Sequence, residues 1–304
     1  MDPPGPLRLA TRGSPLALHQ TELVHDALRG AHPSLSVEVV VLRTRGDEDA
    51  SASLDQIGGQ GVFVTEVEAA VADGRADAAV HSAKDMTSAM VEGLVLAAVL
   101  PRADPRDGLV GTGLADLPAG ALIATGSARR RAQLASLRPD LVFTDLRGNM
   151  ARRVAVGESA EVSAVVVAVA ALERLGWAER LADVLDPVDV LPQAGQGTIA
   201  VQCRADDAGT RAVLGAIDHE PSHRALRAER AVLTRLGGSC TVPVGALAEC
   251  VDGRTLLRVR GLLASADGHT VLRTTCEGED PEAVGAEVAR ALLEGGGQAI
   301  EGFG

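Results

Sequence analysis

Short aliphatic runs alternate along the chain with longer segments in which apolar residues recur at helical spacing. In the first 100 residues the runs predict strands at Leu7–Ala10, Val37–Leu42, Ala78–Val80 and Leu94–Leu100. Helices are predicted from Pro15 to about Leu28, with Ser14 as the N-cap, and from about Phe63 to Ala72. Because Val37–Leu42 is almost wholly β-branched or aliphatic, we expect it to be a parallel strand buried on both faces.

The same alternation returns after the segment Pro101–Asp107, which we interpret as a linker. Strands are predicted at Ala121–Ala124, Val142–Leu146 and Val162–Val169, with a helix from Ala128 to about Leu137. A crossing rich in proline and glycine, Leu191–Gly197, leads into a strand at Thr198–Cys203 and a helix from about Ala208 to Ile217. We therefore expect an α/β fold of two doubly wound lobes facing a cleft, with the second lobe (104–192) inserted into the first (1–100 and 197–217).

The last part of the chain has a different pattern. A helix from about Ser222 to Leu236 and a glycine-rich loop precede three short runs separated by Asp252–Gly253 and Asp267–Gly268, which are typical of hairpin turns. A final helix is predicted from Pro281 to about Leu293. Residues 220–304 are thus expected to form a small α+β domain with a three-stranded antiparallel sheet.

Composition narrows the functional classes. The net charge is -12 and only 1% of the 304 residues are aromatic, which disfavours a nucleic-acid partner. No apolar run has membrane-spanning length and the N-terminal residues lack signal-peptide features, so we expect a cytoplasmic protein that does not contact a membrane. The four cysteines are far apart without a CxxC pair, which indicates neither a metal site nor a disulfide framework. Nothing in the sequence demands more than a monomer.

Arginine is the main basic residue, and Lys84 is the only lysine among 29 basic side chains. Lys84 and Asp85 follow the strand Ala78–Val80, at the end of a strand where ligands of open α/β sheets bind. The alternative is that Asp85 caps a helix or lies in a surface turn, which is the commoner position for an aspartate in a loop. Arginines follow several other predicted strands, and their planar guanidinium groups suit a small ligand with many carboxylates or phosphates. They are Arg12, Arg129, Arg130, Arg147, Arg153 and Arg174.

Three consecutive arginines, Arg129 to Arg131, occupy the first turn of the predicted helix at Ala128, where cations oppose the helix dipole. Successive helical residues lie about 100° apart, so at most two of the three can face one ligand. The polar segment 47–60 is either a mobile loop over a site or an ordinary surface loop. Cys240 lies in a glycine-flanked loop and is the candidate for cysteine chemistry, whereas Cys203, Cys250 and Cys276 fall in predicted strands and are expected to be buried hydrophobic residues. No P-loop or dinucleotide fingerprint is present.

These residues alone are compatible with an enzyme or with a non-catalytic two-lobed polyanion-binding or sensing protein of the periplasmic-binding-protein-like type. Ten motifs, taken in order, decide between them because together they resemble the porphobilinogen deaminase (hydroxymethylbilane synthase) family. The motifs are LRLATRGSPLALHQ (7–20), TRGD (44–47), GGQGVFVTE (58–66), ADAAVHSAKD (76–85), DPRD (104–107), ATGSARRRAQL (124–134), LRGN (146–149), LPQAGQG (191–197), AERA (228–231) and GGSCTVPVG (237–245).

The resemblance implies a transferase of tetrapyrrole biosynthesis. The family condenses four porphobilinogen molecules onto a covalent dipyrromethane primer with loss of ammonia, then releases the linear tetrapyrrole hydroxymethylbilane by hydrolysis. The family's cofactor cysteine matches Cys240, and its catalytic aspartate matches Asp85. By resemblance, Asp85 passes a proton to the leaving amine, stabilises the resulting cation and assists the later deprotonation.

The family's carboxylate-binding positions also have counterparts in this chain. The resemblance assigns the acetate and propionate groups of the cofactor and growing chain to Lys84, Thr125, Ser127, Arg129, Arg130, Arg147 and Arg153, beside Asp85. Substrate-side positions fall on Arg12, Ser14, Gln20 and Arg174. There are two departures from the family pattern: Gln60 replaces a usual lysine, and Gly126 replaces a usual serine.

Overall fold

The computed structural model describes residues 5–42, 64–237, 243–251, 253 and 255–300. These residues form a mixed α/β protein with two five-stranded sheets and one three-stranded antiparallel sheet, which confirms the expected fold class. The chain divides into two compact units, Met1–Arg102 with Thr198–His223 and Ala103–Gly197 with Arg224–Gly304. The boundaries of three separate domains (1–100 with 197–217, 104–192 and 220–304) stay a prediction.

The first unit is built on one five-stranded sheet. Its strands are β1 (Leu7–Arg12), β2 (Val37–Leu42), β3 (Ala78–Ser82), β4 (Leu94–Val99) and β10 (Ile199–Arg204). Its helices are α1 (Pro15–Ala31), α2 (Thr65–Ala72), α6 (Ala208–Gly215) and the start of α7 (Glu220–Arg235). The strand order is β2-β1-β3-β10-β4, with β1 parallel to β2 and β3 and with β10 antiparallel to both its neighbours. The strand β10, with which the chain returns to this unit, therefore lies between β3 and β4 rather than at an edge of the sheet.

β2 has the predicted bounds but not the predicted burial. It is parallel to β1, yet it lies at the margin of the sheet, and Val39 and Val41 are 41% and 51% exposed. The expectation of burial on both faces was wrong because a β-branched run reports strand propensity rather than the number of covered faces. The core of this unit instead includes Leu7 and Leu9 of β1, packed with Val24 of α1 and Ile199 of β10.

The second unit contains the other two sheets. Its first sheet has the order β7-β6-β8-β5-β9, with strands β5 (Asp107–Gly111), β6 (Leu122–Ala124), β7 (Val142–Thr144), β8 (Ala164–Ala168) and β9 (Asp183–Val184). The associated helices are α3 (Ala128–Leu137), α4 (Met150–Gly157) and α5 (Val169–Arg174). The linker predicted at Pro101–Asp107 therefore ends at the first residue of a strand.

The three-stranded sheet consists of β11 (Val244–Cys250), β12 (Leu257–Ala264) and β13 (Val271–Gly278), followed by α8 (Pro281–Glu294). Its core includes Val259 of β12, Val232 of α7 and Val288 of α8. The predicted Asp267–Gly268 turn joins β12 to β13, and Gly268 has the left-handed φ of +76° that such a turn uses. A Cβ atom at Gly268 would overlap the carbonyl oxygen of Ala132, so this turn lies directly against α3. Asp252, in the other predicted turn, lies outside the described residues.

None of the helices in the described ranges combines the length and apolar character that crossing a membrane requires.

Candidate functional site

Asp85 lies in a short 3-10 turn, Ala83–Asp85, that directly follows β3. The turn is held at its base, because the backbone N–H of Ala83 donates to the carbonyl oxygen of Thr198 at 3.0 Å and Ala83 itself is buried. Lys84 and Asp85 are both half-buried. The sequence-predicted catalytic carboxylate and the lone lysine thus sit on a fixed strand end and keep access to solvent.

The start of α1 lies at the same edge of this sheet, because β1 and β3 are parallel and both end there. Ser14 caps α1 as predicted, and its hydroxyl accepts a hydrogen bond from the Ala17 N–H at 3.3 Å. Arg12, the last residue of β1, is half-buried. Strand end and helix start together present polar groups beside the Asp85 turn.

Gln20 connects these two elements. Its side chain is buried, and Nε2 donates to the hydroxyl oxygen of Ser82 at 2.8 Å, which joins α1 to the last residue of β3. Within the first unit the structure thus gathers Arg12, Ser14 and Gln20 around the strand end that carries Asp85. Ser82 was not singled out from the sequence, although it lies in the motif that contains Asp85.

Thr125 and Ser127 shape the start of α3 in the second unit. Ser127 caps the helix by accepting from the Arg130 N–H at 3.4 Å, and its own N–H donates to the buried Thr125 hydroxyl at 3.2 Å. Gly126 lies between them, and a Cβ atom there would come within 2.9 Å of the carbonyl oxygen of Leu146. The departure from serine at this position therefore coincides with a close backbone approach.

Arg129 and Arg130 converge on one buried carboxylate, that of Asp107 at the start of β5. Asp107 is 0% exposed, and Arg129 and Arg130 are 5% and 6% exposed. Nε and Nη2 of Arg130 donate to Oδ1 of Asp107 at 3.0 and 2.7 Å. Nη2 of Arg129 lies 2.8 Å from Oδ2 as a charge contact. The next arginine, Arg131, pairs instead with exposed Asp145 at 2.7 Å.

Protonation states in this cluster follow from burial and charge. Burial lowers the pKa of Arg129, and the charge of Asp107 acts in the opposite direction. Burial alone would raise the pKa of Asp107, but the two guanidinium charges and hydrogen bonds from Arg130 and Gln196 hold it well below its usual range. Asp107 is therefore an ionised carboxylate at neutral pH.

The remaining arginines differ in exposure. Arg147 is exposed, and it forms no ion pair with any residue that the structure describes. Nε of half-buried Arg153 donates to the Gly148 carbonyl at 2.9 Å. Nη2 of Arg174 donates to the Gly197 carbonyl at 2.7 Å, and burial lowers its pKa to about 10. Arg174 is therefore still charged at neutral pH.

Cys240, Gln60 and the segment 47–60 lie outside the described residues. Cys203, Cys250 and Cys276 occupy strands as predicted. Cys203 is buried, and burial raises the pKa of its thiol to about 11. The expected burial was wrong for Cys250 and Cys276, which are only half-buried because they lie in the two outer strands of the three-stranded sheet. Over the described ranges, no group of three His, Cys, Asp or Glu side chains could hold a metal ion.

The buried polar residues that the sequence reasoning missed include Asp107, Gln196 and Glu229. Glu229 accepts from the N–H groups of Gly195 and Ala248 at 2.6 and 2.8 Å, and so ties α7 to the 191–197 crossing and to β11. Each lies in one of the quoted motifs, DPRD, LPQAGQG or AERA, and that was the available signal.

The second unit has the charge balance that a carboxylate-rich cofactor needs. Its buried cluster contains two guanidinium groups and one carboxylate, which leaves one positive charge in excess. Nε of Arg129 is buried without a hydrogen-bond partner in the described part of the chain. An uncompensated buried cation is unfavourable, so a nearby anionic group would be stabilised. The donor set fits a group with several carboxylates.

The two units together define a mixed α/β protein whose strand ends and helix starts are of the kind that bind anionic ligands. A family model described as "Porphobilinogen deaminase, dipyromethane cofactor binding domain" matches residues 7–212. A second model, "Porphobilinogen deaminase, C-terminal domain", matches residues 224–294. The chain belongs to the porphobilinogen deaminase family, whose members are transferases of porphyrin biosynthesis that use porphobilinogen. The first match contains the domain that binds the dipyrromethane cofactor.

Several solved structures are similar at low identity. The periplasmic aliphatic sulphonate binding protein of Escherichia coli is 15% identical with a TM-score of 0.42, over 77% of this chain and 70% of that one. A Bordetella pertussis extracytoplasmic solute receptor that binds pyroglutamic acid is 14% identical with a TM-score of 0.38, over 78% and 84% of the two chains. A reduced form of OxyR from N. meningitidis is 11% identical with a TM-score of 0.38, over 70% and 95%.

Proposed function

We propose that this chain is a hydroxymethylbilane synthase. It would condense four porphobilinogen molecules onto a dipyrromethane primer attached to Cys240, releasing one ammonia at each condensation, and then release hydroxymethylbilane by hydrolysis. The observation that carries the proposal is the position of Asp85, in a held turn at a strand end with Arg12, Ser14 and Gln20 at the same sheet edge.

Asp85 acts on protons in this proposal. Its carboxyl group gives a proton to the amine of porphobilinogen as ammonia leaves, and the carboxylate then stabilises the positive charge left on the substrate. After the new carbon–carbon bond forms, the carboxylate accepts the proton that the pyrrole carbon loses. The half-buried site suits both roles, because partial exclusion of water strengthens the attraction while solvent still exchanges the proton.

The other residues bind carboxylates. Lys84, Thr125, Ser127, Arg129, Arg130, Arg147 and Arg153 are proposed to hold the acetate and propionate groups of the cofactor and growing chain. Arg12, Ser14, Gln20 and Arg174 are proposed to act on the substrate side. The excess positive charge around Asp107 and the exposed guanidinium of Arg147 support this division. When attached to Cys240, the dipyrromethane group supplies the pyrrole end to which substrate units are joined.

The intact mass of the denatured protein tests the attachment. Wild-type protein that has been incubated with porphobilinogen is expected to exceed its sequence mass by the mass of two linked pyrrole units. Cys240→Ala should abolish that excess, and Cys276→Ala, which changes a half-buried strand cysteine, should keep it. A folded wild-type protein without the added mass would contradict the proposal and favour a non-catalytic binding protein.

Turnover of porphobilinogen tests the role of Asp85. Asp85→Asn keeps the shape of the side chain and removes its ability to exchange a proton, so we expect turnover to fall by a factor of about 100 or more. Asp145→Asn is the matched control, since Asp145, like Asp85, lies within three residues of the end of a strand but is exposed. Near-normal turnover in Asp85→Asn would remove Asp85 from this role.

A further inference from the structure

Asp107 and Gln196 are buried polar residues to which the proposed function gives no role. Asp107 opens β5 and receives hydrogen bonds on Oδ1 from Arg130 and, at 2.9 Å, from Nε2 of Gln196. The same Gln196 nitrogen donates to the Pro105 carbonyl at 2.8 Å. Gln196 therefore holds Asp107 in position independently of the two arginines.

Each of the two arginines is held at two points. Arg129 contacts Asp107 and donates through Nη1 to the Leu191 carbonyl at 2.6 Å. Arg130 donates through Nε and Nη2 to Asp107 and through Nη1 to the Val166 carbonyl at 2.9 Å. A guanidinium group anchored on two sides has one orientation, because it is planar and its donors point along fixed directions.

Asp107 is the anchor that both arginines share. Without its charge two like-charged groups would lie together in a buried environment, where repulsion is weakly screened. They would then separate or turn toward solvent, and the carbonyl groups of Leu191 and Val166 could not replace the lost carboxylate.

We propose that Asp107 is a positioning residue for carboxylate recognition: it sets the orientation of Arg129 and Arg130, and through them the binding of the carboxylates of porphobilinogen and of the primer built from it. The inference rests on the proposed function. It separates binding from proton transfer, since Asp107 acts through the arginines and Asp85 handles the protons.

The test uses the full-length chain, produced in cells that make no porphobilinogen, as wild type, Asp107→Asn and Asp104→Asn. Asp104 is the matched control because it lies in the same segment and pairs with Arg106. Four quantities are measured: Tm, the rate at which the protein gains mass with added porphobilinogen, and KM and kcat after loading. For Asp107→Asn we expect mass gain to slow and KM to rise by about tenfold or more, with kcat changed by less than about threefold. Asp104→Asn should match wild type.

A double variant distinguishes positioning from general loss of structure. If Asp107 acts through the two arginines, then the rise in KM of Asp107→Asn/Arg130→Gln should be smaller than the product of the two single effects, because only the contact with Arg129 is left for Asp107 to act through, whereas independent effects would multiply fully. Should Asp107→Asn fail to fold, Gln196→Met keeps every charge of the cluster and removes the amide that holds Asp107. It is expected to raise KM in the same direction by a smaller factor.

The outcomes are distinct. A wild-type protein that gains no mass overturns the proposed function. A wild type that gains mass, beside a folded Asp107→Asn with the same rate and KM, overturns the positioning role and leaves the proposed function intact. The positioning role would also be overturned if the two effects on KM multiplied fully in the double variant, or if kcat fell in proportion to the loss of Tm.

Discussion

The helices α1 and α3 begin in the same way and differ in where their charges lie. Each follows a strand, and each has a serine cap preceded by glycine, Gly13–Ser14 in one and Gly126–Ser127 in the other. At α1 the arginine precedes the cap and is half-buried. At α3 two arginines follow the cap and are buried against Asp107. The same local pattern therefore makes a solvent-accessible edge in one unit and a buried ionic cluster in the other.

The largest expected effect comes from removing the carboxylate of Asp107, against which the two arginines of α3 are buried. Asp107→Ala leaves two buried guanidinium groups without their partner, so we expect the free energy of unfolding to fall by about 3–5 kcal/mol. Asp145→Ala, which removes the exposed partner of the next arginine on α3, should cost less than about 1 kcal/mol. Urea unfolding at neutral pH measures both. Equal losses would mean that burial does not distinguish the two pairs.

The pH dependence of the same cluster has a defined sign. The pKa of Asp107 is lower in the folded protein than its unfolded value of about 3.9. Its contribution to stability is then fully present above about pH 4 and is lost as the pH falls through the folded value. The difference in unfolding free energy between wild type and Asp107→Asn should therefore be constant from about pH 5 to about pH 8 and shrink below about pH 4. A difference that varies between pH 5 and 8 would point to another group.

The next effect concerns the turn that lies against α3. Gly268 and Gly253 both have left-handed φ angles, +76° and +70°, but only Gly268 lies against a backbone carbonyl, that of Ala132. Gly253→Ala should cost about 1–2 kcal/mol through its φ angle alone. Gly268→Ala adds an overlap with α3 and should cost about 3 kcal/mol or more. Thermal unfolding of the pair isolates that contact, and similar losses would show that the turn can move away from α3.

The two glycines before the caps give a smaller effect. Gly126→Ser restores the residue usual in the family, but its Cβ would lie 2.9 Å from the Leu146 carbonyl oxygen, so we expect a loss of about 1–3 kcal/mol. At Gly13 an added Cβ would meet Val41 at an ordinary 3.5 Å, and Gly13→Ser should change stability by less than about 0.5 kcal/mol. Chemical unfolding of both variants measures this difference. A stabilised Gly126→Ser would mean that Leu146 has room to shift.

The smallest effect tests what the two helix starts share. Ser14→Ala and Ser127→Ala each remove one hydrogen bond to a backbone N–H in the first turn, and each should lose about 1 kcal/mol. Ser→Gly at either position should lose only a few tenths of a kcal/mol. Measuring Tm for the four variants tests these expectations. A much larger loss at Ser127 than at Ser14 would show that the cap also supports the arginine cluster.

Local signals were sufficient for much of the fold. The bounds of α3 and of β2 agree with those predicted, and Ser14 caps α1, because helix periodicity, aliphatic runs and capping residues act over a few neighbouring positions. β5 was missed because its sequence, Asp-Gly-Leu-Val-Gly, contains residues that are rare in strands. Its pairing with β8 and β9 supplies what its own propensity lacks.

The candidate site, too, could be predicted from local sequence signals only in part. Spacing along a helix predicted that at most two of the three consecutive arginines could face one ligand, and that stays a prediction. In the structure Arg129 and Arg130 share one buried carboxylate partner, while Arg131 pairs elsewhere. That the partner is Asp107, in a segment interpreted as a linker, follows only from the strand pairing that brings β5 into the sheet. Long-range pairing, rather than local chemistry, was the missing information.

The position of β10 determines the order in which the chain can fold during synthesis. β3 and β4 each pair with β10, which is translated after every strand from β5 to β9. The sheet formed by β5 to β9 can therefore pair all its strands as soon as residue 184 has left the ribosome. The sheet that carries Asp85 cannot be complete until residue 204 has left it. The inserted segment is expected to be complete first, and the carboxyl edge of β3 is among the later parts of the nascent chain to become rigid.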